Sequence, residues 1–241
     1  MDFELSEEQR LLKDSVERLT TQRYDFEARR KYMKEADGWS RALWKQYVDL
    51  GLTALPFAEE HGGIGGGPVE TMIVMETFGR ALALEPYFAS VILGGSFVKL
   101  GASEAARNDV LPKVAAGEAL LAFAHIERQA RYDLADVAAT AKKDGTGYLL
   151  NGEKSLAVHG DCADRFIVSA RVSGDQRAKN GIGHLSARIR QQNLLGKTND
   201  ENRNAGSKLR YGMLALPQLF GQCLVTDDRP RHQGGEQGDE R

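Results

Sequence analysis

Cysteine is nearly missing from this chain of 241 residues: Cys162 and Cys223 are its only two, far apart and without metal-ligand spacing. Neither a disulfide framework nor a zinc site is indicated. Charge of one sign is also lacking, because the formal net charge is only −2. With no basic excess to hold a polyanion, nucleic acid is disfavoured as the main partner. No apolar run is long enough for a membrane span; Met213 to Val225, the longest in the tail, is broken by Pro217 and glutamines. The opening, Met1-Asp2-Phe3-Glu4-Leu5-Ser6-Glu7-Glu8, has neither the basic flank and apolar core of a secretory signal nor the Arg-rich character of a transit peptide. The expected address is cytoplasmic. What is present is ordinary for a soluble globular protein, with 41% hydrophobic and 27% charged residues. The length allows one large domain or two modest ones, each with a buried core.

The first half reads as helical. Ser6-Glu7-Glu8-Gln9 has the form of a capping box, and Leu12, Val16 and Leu19 then share one helix face. After a charged connector, Arg23 to Asp37, a second helix is expected over Trp39 to Leu50, ending at Gly51. Pro68 opens an apolar helix carrying Met72, Val74, Met75, Phe78 and Leu82, and Pro86 marks its end. Tyr87 to Leu100 and Glu104 to Ala116 complete the set, the last interrupted locally at Pro112. The run Phe88, Val91, Ile92, Leu93, Phe97, Val98, Leu100 is expected to be buried on most sides, at the centre of an all-helical N-terminal domain.

Residues 51–72 are glycine-rich, which raises the idea of a phosphate cradle. Neither a dinucleotide fingerprint after a strand nor a Walker motif is present, so a packed loop between helices is the preferred reading. From Leu120 to Arg171 the pattern changes to apolar and β-branched runs separated by turn residues, Lys143-Asp144-Gly145 and Asn151-Gly152. An antiparallel meander is expected, with a hairpin turn at Asn151-Gly152. The fold class is therefore α+β: a helical N-terminal domain over residues 1–118, a small antiparallel β domain over 119–177, and a tail over 178–241 that reads as irregular or disordered.

Several separated stretches, GLTALPFAEEHGGIGGGPVETMIVMETFGRAL, GEALLAFAHIE, YLLNGEK and DCADRFIVSAR, together resemble the acyl-CoA dehydrogenases, in the same order and at comparable spacing over roughly residues 1–177. RYDLADV followed by HGDCAD is most similar to the small subunit of pimeloyl-CoA dehydrogenases. The resemblance implies FAD as cofactor and an acyl-CoA thioester as substrate. A carboxylate would take the α proton while the β hydrogen leaves as hydride to flavin N5. It also implies that the flavin faces two loops, a Thr-Glu-Pro motif followed by Gly-Ser-Asp, and a Trp-Ile-Thr triplet. Here Phe123-Ala124-His125-Ile126-Glu127 stands at the first, with Ile126 for the Thr and Arg128 for the Pro. Tyr132-Asp133 matches the Ser-Asp pair, and Leu156-Ala157-Val158 occupies the triplet. Side-chain hydroxyl donors to the ring are lost, while backbone donors could still serve. Phe123, Ala124, Ile126, Leu156 and Val158 suit a sheet core equally well.

His125 and His159 have no accompanying nucleophile motif and are not read as general bases. Asp133, Asp136, Asp161 and Asp164 are read as turn and strand-end residues rather than a metal cluster, and His61 as a loop residue. After Arg171 the resemblance fades, the expected apolar strand does not follow, and residues 226–241 hold no large apolar residue. A frame shift or rearrangement of the coding sequence near residues 178–184 would account for the switch, and reading the DNA in its other frames tests it. The family's catalytic Glu lies in a C-terminal bundle that this stretch does not resemble, so no catalytic residue is assigned. Three functions stay open: a dehydrogenase portion inactive alone, a non-catalytic subunit completing a homo- or hetero-oligomer with a full-length dehydrogenase, or a flavin monooxygenase on the same fold.

Overall fold

In the computed structural model of the chain, residues 4–145 and 147–187 are described, together with the backbone strands at 194–195, 207–216 and 218–223. The head is helical: α1 (Glu7–Arg23), α2 (Phe26–Tyr32), α3 (Arg41–Asp49), α4 (Pro68–Ala81), a π-helix (Phe88–Gly95) running into α5 (Ser96–Gly101), and α6 (Glu104–Ala115). The expected capping box forms at α1, where Ser6 Oγ accepts from the Gln9 amide at 3.2 Å and Gln9 Oε1 accepts from the Ser6 amide at 3.0 Å. Pro68 opens α4 as its spacing suggests.

Three helical expectations need correction. The charged connector contains α2, capped by Asp25 accepting from the Ala28 amide at 2.7 Å. Its charges sit on an exposed surface helix, so apolar periodicity could not reveal it. Pro112 does not interrupt α6, which runs through it. In the buried run, Val91 and Val98 are inside but Phe88 and Leu100 are exposed. The π-helical winding shifts the face presented to the core relative to an α-helix.

The head's core is aromatic. Tyr47 stacks on Phe78 at 4.5 Å between ring centroids, and Tyr87 meets both edge-on. Inside it lies Glu85, whose carboxylate accepts from Tyr24 Oη at 2.6 Å, Tyr47 Oη at 3.1 Å and the Ser40 amide at 3.2 Å. Burial pushes this carboxyl above its usual range, against the opposing pull of those donors.

The sheet is mixed, not purely antiparallel as expected. Its strands are β1 (Leu121–Ala124), β2 (Thr140–Asp144), β3 (Gly147–Ala157), β4 (Arg165–Arg171), β5 (Ile182–Ala187), β6 (Leu194–Leu195), β7 (Ser207–Leu216) and β8 (Gln218–Cys223). Seven follow the order β6-β7-β3-β2-β4-β5-β8, and β1 pairs with β4. β1 and β4 run parallel, with Phe123 opposite Ile167, and β2 meets β4 in parallel at Thr140 and Arg171. The whole β2–β3 hairpin lies between β1 and β4 in sequence, and that excursion is long enough to return the chain in the same direction.

Asn151-Gly152 is not a hairpin turn. β3 passes straight through it, with a register irregularity against β7 between Leu150 and Gly152, and the β2–β3 reversal lies at Gly145. Glycine is needed at 152 for close approach, since a Cβ there would lie 2.6 Å from Ala139 Cβ. A strand does follow Arg171: β5 pairs antiparallel with β4, Ser169 opposite His184. Its Gly183 and His184 masked the apolar pattern in the sequence. Elsewhere in 178–241, the described residues contribute β6, β7 and β8, while 224–241 lie outside the described residues.

The head and sheet meet along β1. The Leu121 amide donates to Ser90 Oγ at 3.0 Å, and Leu121 and Ile167 join the same apolar cluster as Val91 and Val98. Ala122, Ala124, Ala157, Phe166 and Val168 form a second cluster on the other face of the sheet. Among the described residues, no helix is long and apolar enough to cross a membrane.

Candidate functional site

Alternation along β1 decides which predicted residues can face the head. Ala122 and Ala124 point into the second cluster, while Phe123 packs toward the helices. Phe123 stacks on Phe97 of α5 at 5.0 Å and on His125 at 4.6 Å, and His184 of β5 lies 4.4 Å from Phe97. Four rings thus line the junction where β1 ends. His125 Nδ1 is buried there with no hydrogen-bond partner, an orphaned polar atom of the kind that native proteins rarely leave without a reason.

The two segments picked out in the sequence lie side by side. The Ser155 amide donates to the Ile126 carbonyl at 2.9 Å, which places Leu156-Ala157-Val158 immediately beyond His125-Ile126-Glu127. Leu156 is about half exposed and adopts φ 56°. A leucine held in the left-handed region is strained, and such strain gathers at functional sites. Val158 is half-buried, whereas Ala124 and Ala157 are fully buried in the sheet core and can offer only backbone groups. Tyr132 is not part of the junction: its side chain is 99% exposed.

Sequence reasoning missed the pair that holds this place together. Lys154 is completely buried, and its Nζ donates to Glu127 Oε1 at 2.6 Å, Ser169 Oγ at 2.9 Å and the His125 carbonyl at 3.4 Å. Glu127, also buried, accepts in addition from the Ala138 amide at 2.8 Å, the Ala139 amide at 3.1 Å and Gln129 Nε2 at 2.6 Å. Burial alone would raise the Glu127 carboxyl; the Lys154 charge and these donors outweigh it and hold it below its usual range. Burial also lowers the Lys154 ammonium despite Glu127. An isolated Lys inside a strand with buried Leu150 and Ala157 was the available signal.

Two imidazoles beside this ammonium stay neutral. His184 is pushed down to about 4, first by burial, then by the Lys154 charge, and by the repulsion it would meet if His125 were also protonated; burial and Lys154 also lower His125. A base whose folded pKa lies below its unfolded value contributes stability that is complete above about 6.5 and lost as pH falls toward the folded value. Acidification from neutrality to about pH 4 should therefore cost about 3 kcal/mol through His184. His184→Phe keeps the ring contact and removes the proton, so thermal denaturation across that pH range should show a flatter dependence than in the unsubstituted chain.

The remaining sequence candidates are structural. His159 Nε2 lies 2.9 Å from the Leu84 carbonyl, tying the turn after β3 to the head. Asp133 accepts from the Ala135 amide at 2.9 Å and Asp164 from the Leu120 amide at 2.8 Å, the turn and strand-end roles read from the sequence. Asp136 accepts from Gln176 and Arg177, fastening the loop after β4. The glycine-rich loop is no phosphate cradle, because its amides at Gly63, Ile64, Gly65 and Gly66 donate to the carbonyls of Ala58, Ala54, Phe57 and Leu55.

A helical head docked on a sheet, with a ring-lined junction between them, defines a class of fold, and the comparisons give the family. Residues 6–118 match the family model described as Acyl-CoA dehydrogenase, N-terminal domain. Residues 6–118 are thus an acyl-CoA dehydrogenase N-terminal domain, and relatives named as acyl-CoA dehydrogenases align with this chain over 184 to 187 residues. It is 32% identical over 184 residues to the probable acyl-CoA dehydrogenase FadE25 of Mycobacterium tuberculosis, covering 74% of this chain and 45% of the relative. The fold matches the butyryl-CoA dehydrogenase structure from Megasphaera elsdenii with a TM-score of 0.78 at 22% identity, over 92% of this chain and 60% of that one. It matches the FAD complex of PigA equally, with a TM-score of 0.78 at 22% identity and the same coverage of 92% and 60%. The chain spans about half the length of the curated relatives it matches.

The residues around the junction could meet a flavin through backbone groups and ring faces, not through hydroxyls. The orphaned His125 Nδ1 and the strained, half-exposed Leu156 belong to the adjoining 123–127 and 155–158 segments, the two that the resemblance assigns to the isoalloxazine edge. Ile126 offers no side-chain donor there.

Proposed function

We propose that this chain carries the helical and flavin-facing portions of a flavin-dependent acyl-CoA dehydrogenase. The observation that carries the reading is the 2.9 Å bond from the Ser155 amide to the Ile126 carbonyl, which joins the two segments expected to face the cofactor. Phe123, His125, Ile126, Leu156 and Val158 would contribute side-chain contacts, and Ala124 and Ala157 backbone contacts. FAD, when bound, supplies the acceptor for the β hydrogen of an acyl-CoA thioester. The chain's own part is to orient the ring edge through these segments and to keep water from the junction with the Phe97–Phe123 stack.

No carboxylate is assigned as the base for the α proton. Glu127, the acid in the junction, has its oxygens taken up by Lys154, Gln129 and two amides and stays ionised as a structural anchor. The purified chain supplemented with FAD should therefore show a perturbed visible flavin spectrum, yet should not bleach a dye acceptor when given an acyl-CoA. Dye reduction by this chain alone would contradict the assignment.

A second reading, a non-catalytic subunit completing a heteromeric dehydrogenase in the cytoplasm, is favoured by the exposure of Tyr132, Leu134 and Leu156 around the same segments. Co-purification with a full-length flavoprotein supports it, and a monodisperse monomer in the presence of that protein contradicts it.

A further inference from the structure

We infer that Lys154 and Glu127 are positioning residues for the flavin edge, acting as one unit through the backbone of His125 and Ile126; this rests on the flavin reading above. Three features set the pair apart from an ordinary stabilising ion pair. It is buried on both sides, with Lys154 at 0% and Glu127 at 3% side-chain exposure, a setting in which desolvation offsets most of the Coulombic gain. It is fully saturated: the three protons of the ammonium go to Glu127, Ser169 and the His125 carbonyl. And it sits beside the strained Leu156, which follows Lys154 by two residues.

The geometry explains how such a pair positions. Lys154 Nζ holds the His125 carbonyl, and the neighbouring Ser155 amide and Oγ hold the Ile126 carbonyl at 2.9 Å and 3.4 Å. Both carbonyls of the first segment are therefore committed to β3. Glu127 in turn fixes the far side of that segment, since its carboxylate gathers the Ala138 and Ala139 amides at the entry to β2. The segment from His125 to Glu127 is clamped from β3 on one side and from β2 on the other. Because Ile126 supplies no hydroxyl, its backbone is the polar group this residue can offer the ring, and the clamp sets where that backbone lies.

The test compares the unsubstituted chain with the doubly neutralised Glu127→Gln/Lys154→Met variant, in which no charge is left unpaired. Hydrogen exchange of the flavin-free proteins should show faster exchange over 123–127 and 155–158 in the variant, with α4 and α6 unchanged as a control for folding. FAD dissociation constants should rise about tenfold, the order expected when a supporting partner is removed. If the double variant does not fold, Ser169→Ala, which removes one contact of Lys154, is measured in the same way and should weaken FAD about twofold to threefold. A chain that binds FAD with an affinity unaltered by these substitutions overturns the positioning role alone. An unsubstituted chain that takes up no FAD overturns the flavin reading and the inference with it.

Discussion

Lys154→Met, made alone, is expected to be the most destabilising single substitution in the sheet, at about 3–5 kcal/mol. The cause is the partner left behind. Glu127 would remain buried with the Ala138 and Ala139 amides and Gln129 as donors but no cation, while Ser169 Oγ and the His125 carbonyl would each lose their donor. An uncompensated buried charge costs far more than the intact pair contributes, so the loss exceeds what removal of one hydrogen bond would bring. For a chain of this size the melting temperature should fall by about 6–20 °C. Urea denaturation of the single and double variants reads the effect, and adding Glu127→Gln should recover much of it. A single variant within about 1 kcal/mol of the unsubstituted chain would show that the pair is not buried as described.

Gly63→Ala is expected to be nearly as damaging, at about 3 kcal/mol. A Cβ at this position would lie 2.0 Å from the Phe57 carbonyl oxygen and 2.2 Å from its carbon. Both are backbone atoms, so no side-chain rotation relieves the clash. Nor can the loop move as a unit, because the Phe57 carbonyl is already bonded to the Gly65 amide at 2.7 Å and the Leu55 carbonyl to the Gly66 amide at 2.7 Å. Phe57 is itself fully buried against the π-helix, where a Cβ at Gly95 would meet its ring at 2.5 Å. Differential scanning calorimetry should show a fall of about 6–12 °C. Gly38→Ala, at a glycine with open space around its Cβ, serves for comparison and should cost less despite its φ of 76°.

These effects also show what was legible in the amino-acid order. Helix starts were readable because capping is local: Ser6 with Gln9 and Pro68 after Gly67 act within one turn of themselves. α2 was not, because a short exposed helix needs no apolar stripe. The turn chemistry at Asn151-Gly152 misled, since glycine serves two purposes, positive φ and close approach, and only the position of Ala139 in space shows which applies. Parallel pairing of β1 with β4 depends on a long excursion that no local pattern encodes.

At the junction, Phe123, His125 and Ile126 were found through their resemblance to a flavin segment, and the structure sets them beside Ser155 and Leu156. Lys154 and Glu127 were visible as letters but not as a pair. β2 and the first part of β3 lie between them in sequence, and an ion pair closed across that distance is a fact of tertiary packing. His184 was hidden for a related reason: its imidazole interrupts an apolar run, and its ring partner Phe97 belongs to the helical head.

The central claim is that the 123–127 and 155–158 segments form one flavin-facing edge. Amide chemical-shift mapping of the isotope-labelled chain during titration with FAD tests it most directly. Saturable shifts concentrated at Phe123 to Glu127 and Ser155 to Val158, with α1 and the glycine-rich loop left in place, are the predicted result. Shifts confined to the glycine-rich loop or to α1, or no saturable shift at any FAD concentration, would contradict it.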